Sequence, residues 1–104
     1  MLKLYGRVNS INVQKVIWML AELALPHERI DAGMAFGLVN EPWFRALNPN
    51  GQVPTIDDGG VVLWESNVIV RYLAAKHSTG ALMPADLPSR MRAEMWMDWQ
   101  QNAV

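Results

Sequence analysis

The sequence predicts an α/β domain built on a mixed four-stranded sheet, and three observations carry that prediction. Val13, Val16, Ile17, Leu20, Leu23 and Ala24 recur at i, i+3, i+4, i+7 spacing with Gln14, Lys15 and Glu22 opposite, the period of an amphipathic helix. Short segments stand on either side of that helix, the largely apolar Leu2 to Tyr5 before it and the mixed His27 to Asp31 after it, which makes a βαβ unit. Val53 to Asp57 and Val61 to Trp64 are β-rich runs divided by Asp58-Gly59-Gly60, a hairpin signal. A parallel βαβ half joined to an antiparallel ββα half gives a mixed sheet covered by helices.

Each element has its own justification. The first strand, 2 to 5, ends in a turn at Gly6, and Ser10, Asn9 and Asn12 suit the entry to the first helix, which Pro26 closes. His27 to Asp31 is short and mixed, as an edge strand is, and Ala32 to Asn40 with Gly33 and Gly37 reads as a loop. Glu41 to Leu47 forms a short helix with Pro42 at its first position, closed by Asn48-Pro49. After Trp64 the period becomes helical, with Val68, Ile69, Tyr72 and Leu73 facing inward and Asn67, Arg71 and Lys76 outward.

Residues 1–77 are therefore expected to form one domain. The turn-rich residues 78–88 are expected to be a linker, and 89–104 a further helix with Met91, Met95, Trp96 and Trp99 spaced for burial. Nothing else in the chain is long enough to cover that helix, so it is read as the first helix of a helical second domain cut short, or as one that pairs with another chain. The five tryptophans and seven methionines are expected to pack the core and this last helix.

Bulk chemistry excludes several functions. A net charge of −1 over 104 residues, with pI near 6.0, provides no basic field for nucleic acid. Without cysteine there is no disulfide framework, no thiolate metal site and no C-x-x-C dithiol, so any redox-active sulfur comes from a ligand. His27 and His77 belong to no metal-binding spacing. No apolar run approaches the roughly 20 residues that span a bilayer, and the N-terminus lacks a signal peptide's apolar core, so a soluble cytoplasmic protein without a membrane partner is expected.

The stretch from Asn48 to Ser66 reads as a site for an extended peptide. Pro54 has no N–H for a ladder, so the Val53-Pro54 pair leaves backbone free for a guest. Glu65-Ser66 puts an acid and a hydroxyl at the mouth of the next helix, where backbone N–H groups favour anions such as a peptide's terminal carboxylate.

Three motifs together are specific. Ser10-Ile11-Asn12-Val13-Gln14-Lys15-Val16, Asn48-Pro49-Asn50-Gly51-Gln52-Val53-Pro54-Thr55-Ile56 and Glu65-Ser66-Asn67-Val68-Ile69-Val70-Arg71-Tyr72-Leu73 agree in order, spacing and type with the cytosolic glutathione transferases of the serine type. The chain thus resembles the thioredoxin-like N-terminal domain of that family across residues 1 to 77, followed by the first helix of the family's all-α C-terminal domain. The resemblance implies a cis bond before Pro54 and a Val53 backbone that pairs with the cysteinyl unit of glutathione like an added strand. It implies that Ser66 and the helix N–H groups hold the γ-glutamyl carboxylate, that Glu65 holds its amine, and that Gln52 is a further contact. Glutathione enters as a co-substrate, a small hydrophobic electrophile as the acceptor, and a homodimer as the assembly.

Ser10 matches the family's catalytic serine. A free thiol titrates near 8.5 and only the thiolate attacks an electrophile. Ser10 would donate a hydrogen bond to the thiolate, aided by the helix N-terminus; lowering the thiol pKa by two units requires about 2.7 kcal/mol, within reach of those two effects. Asn12 is a second candidate donor, and Tyr5, which precedes Gly6, belongs rather to the strand. The loop before the second helix carries Val39 and Asn40 where many relatives have basic residues for the glycyl carboxylate, which leaves that contact to Asn40 and backbone. Two rival readings stand beside the transferase: a non-catalytic interaction module, disfavoured by the joint presence of Ser10, Gln52, Val53-Pro54 and Glu65-Ser66, and a glutathione-dependent isomerase or reductase. The reductase would need a cysteine near Ser10, and there is none.

Overall fold

The computed structural model describes residues 1–78, 82 and 84–103. The chain runs β1 (Leu2–Tyr5), α1 (Ile11–Glu22), β2 (His27–Ile30), a 3-10 turn (Met34–Phe36), α2 (Pro42–Leu47), β3 (Thr55–Asp58), β4 (Val61–Trp64), α3 (Ser66–His77) and α4 (Leu87–Ala103). The sheet order is β2-β1-β3-β4, with β1 parallel to β2 and the other pairs antiparallel, the mixed sheet expected of this element order.

Strand alternation sorts the core into two layers. Leu2, Leu4 and Ile56 turn to one face and meet Val13, Val16 and Leu20 of α1 and Ile69 and Leu73 of α3. Tyr5 turns to the other face and packs with Ala32 and Phe44, so α2 covers the side opposite α1 and α3. The ring centroids of Tyr5 and Phe44 are 5.7 Å apart, edge to face. Gly6 lets the end of β1 approach α1, since a Cβ there would lie 2.5 Å from Val13 Cγ2.

Several details differ from the sequence reading. β3 starts at Thr55, leaving Val53 and Pro54 ahead of the ladder, because Pro54 has no N–H to donate to β1. The helix expected from Ser89 starts at Leu87: Asp86 Oδ2 accepts the Ser89 N–H at 3.0 Å as a cap, and Pro88 fits a first turn whose N–H groups need no intrahelical acceptor. Of the expected linker, residues 79–81 and 83 lie outside the described residues, as does Val104, the last residue of the helix expected over 89–104.

The largest departure concerns the tryptophans. All five are exposed, and the aliphatic residues and Phe44 fill the core instead. Trp18 lies on the outer face of α1, donating Nε1–H to Glu22, while Trp96 and Trp99 meet edge to face along α4 with ring centroids 5.6 Å apart. Met91 and Met95 are exposed with them, because α4 turns its other face, with Glu94 and Met97, toward α3. That packing changes the expected exposure of α3 at three positions, while Ile69 and Leu73 are buried and Lys76 exposed as expected. Asn67 is buried and donates to Met97 O at 2.9 Å, Arg71 pairs with Glu94 at 2.7 Å, and Val68, expected inside, is exposed. Lys15 Nζ joins α1 to the same helix through Gln100 Oε1 at 2.7 Å, and burial lowers its pKa.

Candidate glutathione site

The site begins at the carboxyl ends of the parallel strands β1 and β2, where open α/β sheets leave a crevice. Ser10 caps α1: its backbone is extended, its Oγ accepts the Val13 N–H at 3.4 Å, and it is only 8% exposed. A hydroxyl that accepts as a cap keeps its own O–H to donate, and among the described residues that O–H has no acceptor. Ser10 opens into a cavity of about 440 Å³ with Arg7, Asn12, Gly33, Gln52 and Val53 on its walls.

A second, more polar cavity of about 100 Å³ adjoins it and is bounded by Pro54, Trp64, Glu65 and Ser66. Asn12, Gln52 and Val53 line both, so the two form one groove from Ser10 to Ser66. Ser66 is buried at the first position of α3, and its Oγ lies 3.5 Å from Asn12 Oδ1, joining the starts of α1 and α3 across the groove. Glu65 precedes it at φ 76°, a left-handed conformation that costs a non-glycine residue about 1–3 kcal/mol and that gathers at functional sites. Its carboxylate has no cationic partner among the described residues.

The groove floor is held by one side chain. Asn48 is 1% exposed, and its Nδ2 donates to Gln52 O and to Thr55 Oγ1, each at 3.1 Å. Its Oδ1 accepts the Asn50 N–H at 2.9 Å, and Thr55 Oγ1 donates to Gln52 O at 3.0 Å. The segment Asn50 to Thr55 is thereby fixed with the Val53–Pro54 bond cis, as the resemblance implies, and with Val53 facing the groove.

The structure thus brings together Ser10, Asn12, Gln52, Val53, Pro54, Glu65 and Ser66. Asn40 stands apart: it is exposed, its Oδ1 accepts from Arg45 Nη2 at 2.7 Å, and it lines neither cavity. Tyr5 also lines neither, being buried in β1 against Phe44. Sequence reasoning missed Arg7, Gly33 and Trp64 on the walls and the organising role of Asn48. The position of Arg7 directly after the first strand and its glycine was the available signal for the first of these.

Fold and groove together define a thioredoxin-like domain with a polar groove at the starts of α1 and α3, and the comparisons specify its family. Residues 9–76, more than half the chain, match the glutathione S-transferase N-terminal domain. Glutathione S-transferase GstB of Escherichia coli (strain K12) is 50% identical over 106 residues, spanning 100% of this chain and 51% of that protein. Glutathione S-transferase 3 of Zea mays is 40% identical over 103 residues, spanning 97% of this chain and 46% of that protein. Among solved structures, the theta class glutathione S-transferase from Xanthomonas axonopodis pv. citri with glutathione bound superposes with a TM-score of 0.92 at 48% identity, covering 96% of this chain and 48% of that one. The chain belongs to the glutathione S-transferase family and carries its N-terminal domain. It spans about half the length of the relatives it matches.

Proposed function

We propose that this domain binds glutathione, stabilises its thiolate and directs it at a small hydrophobic electrophile. The observation that carries the reading is the continuous groove between two helix starts, with the free Ser10 hydroxyl at one and buried Ser66 at the other. The γ-glutamyl carboxylate docks on Ser66 and the first N–H groups of α3, and its amine on Glu65, an acid with no cationic partner among the described residues. The cysteinyl backbone lies along Val53, beside Gln52, which puts the sulfur toward Ser10.

Chemistry then needs little more than position. Ser10 donates its O–H to the thiolate while still capping α1, and the aligned peptide dipoles of a 12-residue helix favour the negative sulfur. The Ser66 O–H, which reaches Asn12 Oδ1 only at 3.5 Å, turns to the ligand carboxylate, and the Nδ2–H groups of Asn12 form a second donor set. The thiolate attacks the electrophilic carbon, a C–S bond forms, and the leaving group departs with its electron pair or, in an addition, the carbanion formed takes a proton from water. The proton lost by the thiol passes to solvent, so no general base is required.

The rest of the reading concerns the whole protein. The exposed Met95, Trp96 and Trp99 on α4 support a covering layer of helices that shapes the acceptor pocket, and exposed apolar residues on α3 and α4 support a homodimer. Among the described residues no helix is long and apolar enough to cross a membrane, and the reading places the protein in the cytoplasm.

The test is the pH dependence of thiolate absorbance of glutathione bound to the full chain. Ser10→Ala is expected to raise the bound thiol's pKa by about one to two units with affinity nearly unchanged, matching the loss of one charge-assisted hydrogen bond. An unaltered pKa in Ser10→Ala together with a raised one in Asn12→Ala would transfer the role to Asn12.

A further inference from the structure

We propose that Arg7 binds the glycyl carboxylate of glutathione, an assignment that rests on the glutathione reading above. Arg7 extends the β1–β2 pairing past Tyr5: Gly6 N–H donates to Ile30 O at 2.9 Å and Arg7 N–H to Ala32 O at 3.1 Å. Its side chain then crosses Gly33, where φ is +92° and a Cβ would lie 2.6 Å from Arg7 Nη1 and 3.3 Å from Val53 Cγ2. The guanidinium therefore sits beside Val53 on the wall of the larger cavity, and only a residue without a side chain leaves it that path.

The guanidinium is half-buried and, among the described residues, makes no hydrogen bond or ion pair. Neighbouring charges are already engaged. Asp31 pairs with Arg29, while Arg45 spends its guanidinium on Pro49 O at 2.9 Å and Asn40 Oδ1 at 2.7 Å and lines neither cavity. A partly desolvated cation with no counter-ion in a ligand groove is matched by an anion on the ligand.

Ligand chemistry supplies that anion in the right place. Glutathione has a carboxylate at each end and an amine only at the γ-glutamyl end. The groove is polarised the same way, with Glu65 and Ser66 at one end, Val53 in the middle and Arg7 in the adjoining cavity. With the γ-glutamyl end on α3, the second carboxylate falls to the cavity that holds Arg7, where the planar guanidinium can take it with two parallel hydrogen bonds. The loop carrying Val39 and Asn40 has no basic residue for this task, and Arg7 fills it from the β1–α1 connection.

The glycyl monoethyl ester of glutathione removes that one charge, so dissociation constants of the full chain for glutathione and for the ester test the assignment. The native protein should bind the ester about tenfold more weakly. Arg7→Gln should bind glutathione about tenfold more weakly and the ester as the native protein does, losing the discrimination, and Arg7→Lys should recover part of it. An Arg7→Gln protein that keeps the native discrimination, or weakens both ligands equally, overturns the assignment. So does a variant that changes only the bound thiol's pKa, which would place Arg7 at the sulfur. If the native protein binds neither ligand, the glutathione reading itself falls, and this inference with it.

Discussion

Asn48 shows at the residue scale how a buried polar side chain can brace the floor of a groove that it also helps to line. Its amide meets Gln52 O, Thr55 Oγ1 and the Asn50 N–H; alanine would remove all three hydrogen bonds and leave the Asn50 N–H without its acceptor, while Thr55 Oγ1 and Gln52 O keep only each other. Asn48→Ala is expected to lower stability by about 2–4 kcal/mol in urea unfolding and to weaken glutathione binding, because the Gln52 to Pro54 backbone loses its support. A variant that binds normally despite reduced stability would separate the turn from the site. The sequence displayed Asn48 inside a recognisable motif, but its partners are set by how the chain folds back over itself. The same limit hid Arg7, whose proposed role depends on Gly33 and Val53 and on its having no acidic partner among the described residues. Ser10, by contrast, was legible, since an N-cap announces itself within a few residues of its helix.

At the scale of elements, the β3–β4 hairpin is tied to α3 by one carboxylate. Asp58 Oδ2 accepts from Lys76 Nζ at 2.9 Å and from the Tyr72 hydroxyl at 2.7 Å, and these two hydrogen bonds hold the Asp58 pKa below the usual carboxylate range. In the unfolded chain the group binds its proton more tightly, so stability rises with pH across this window. The contribution is fully present above the ordinary aspartate value of about 3.9 and is lost as the pH falls below it through the depressed folded value. Asp58→Asn should therefore melt below the native protein at neutral pH, and the two melting temperatures should converge as acid is added. A gap that stays constant with pH would contradict the linkage.

The elements themselves were legible wherever a period was long enough to read. The 3.6-residue rhythm of α1, the two β runs around Asp58-Gly59-Gly60 and Pro42 at the start of α2 each predict the element observed. Exposure was less legible. Trp18, Trp96 and Trp99 sit at helical spacing, yet spacing gives a face and not what covers it, and α4 meets α3 through Asn67 and the Arg71–Glu94 pair. Boundaries slipped where proline decides them: Pro54 delays β3, while Pro88 is accommodated in the first turn of α4.

At the scale of the molecule, two core layers clamp one sheet so that the starts of α1 and α3 and the Asn48-braced turn converge on a single groove. Each candidate site residue is held by an element that also packs the core: Ser10 by α1, Ser66 by α3, and Val53, which itself packs against both buried layers, by the turn before β3. The groove is therefore held in shape by the same packing that holds the fold. Trp64 stands on its wall and gives it an optical reporter. The most direct measurement is a titration of the full chain with glutathione, followed by tryptophan fluorescence and repeated on Ser66→Ala. A saturable change at or below millimolar ligand, weakened about tenfold or more in the variant by loss of a hydrogen bond to a carboxylate, is the predicted result. A native protein that gives no saturable change at millimolar glutathione, or a Ser66→Ala protein that binds as the native one does, would contradict the site described.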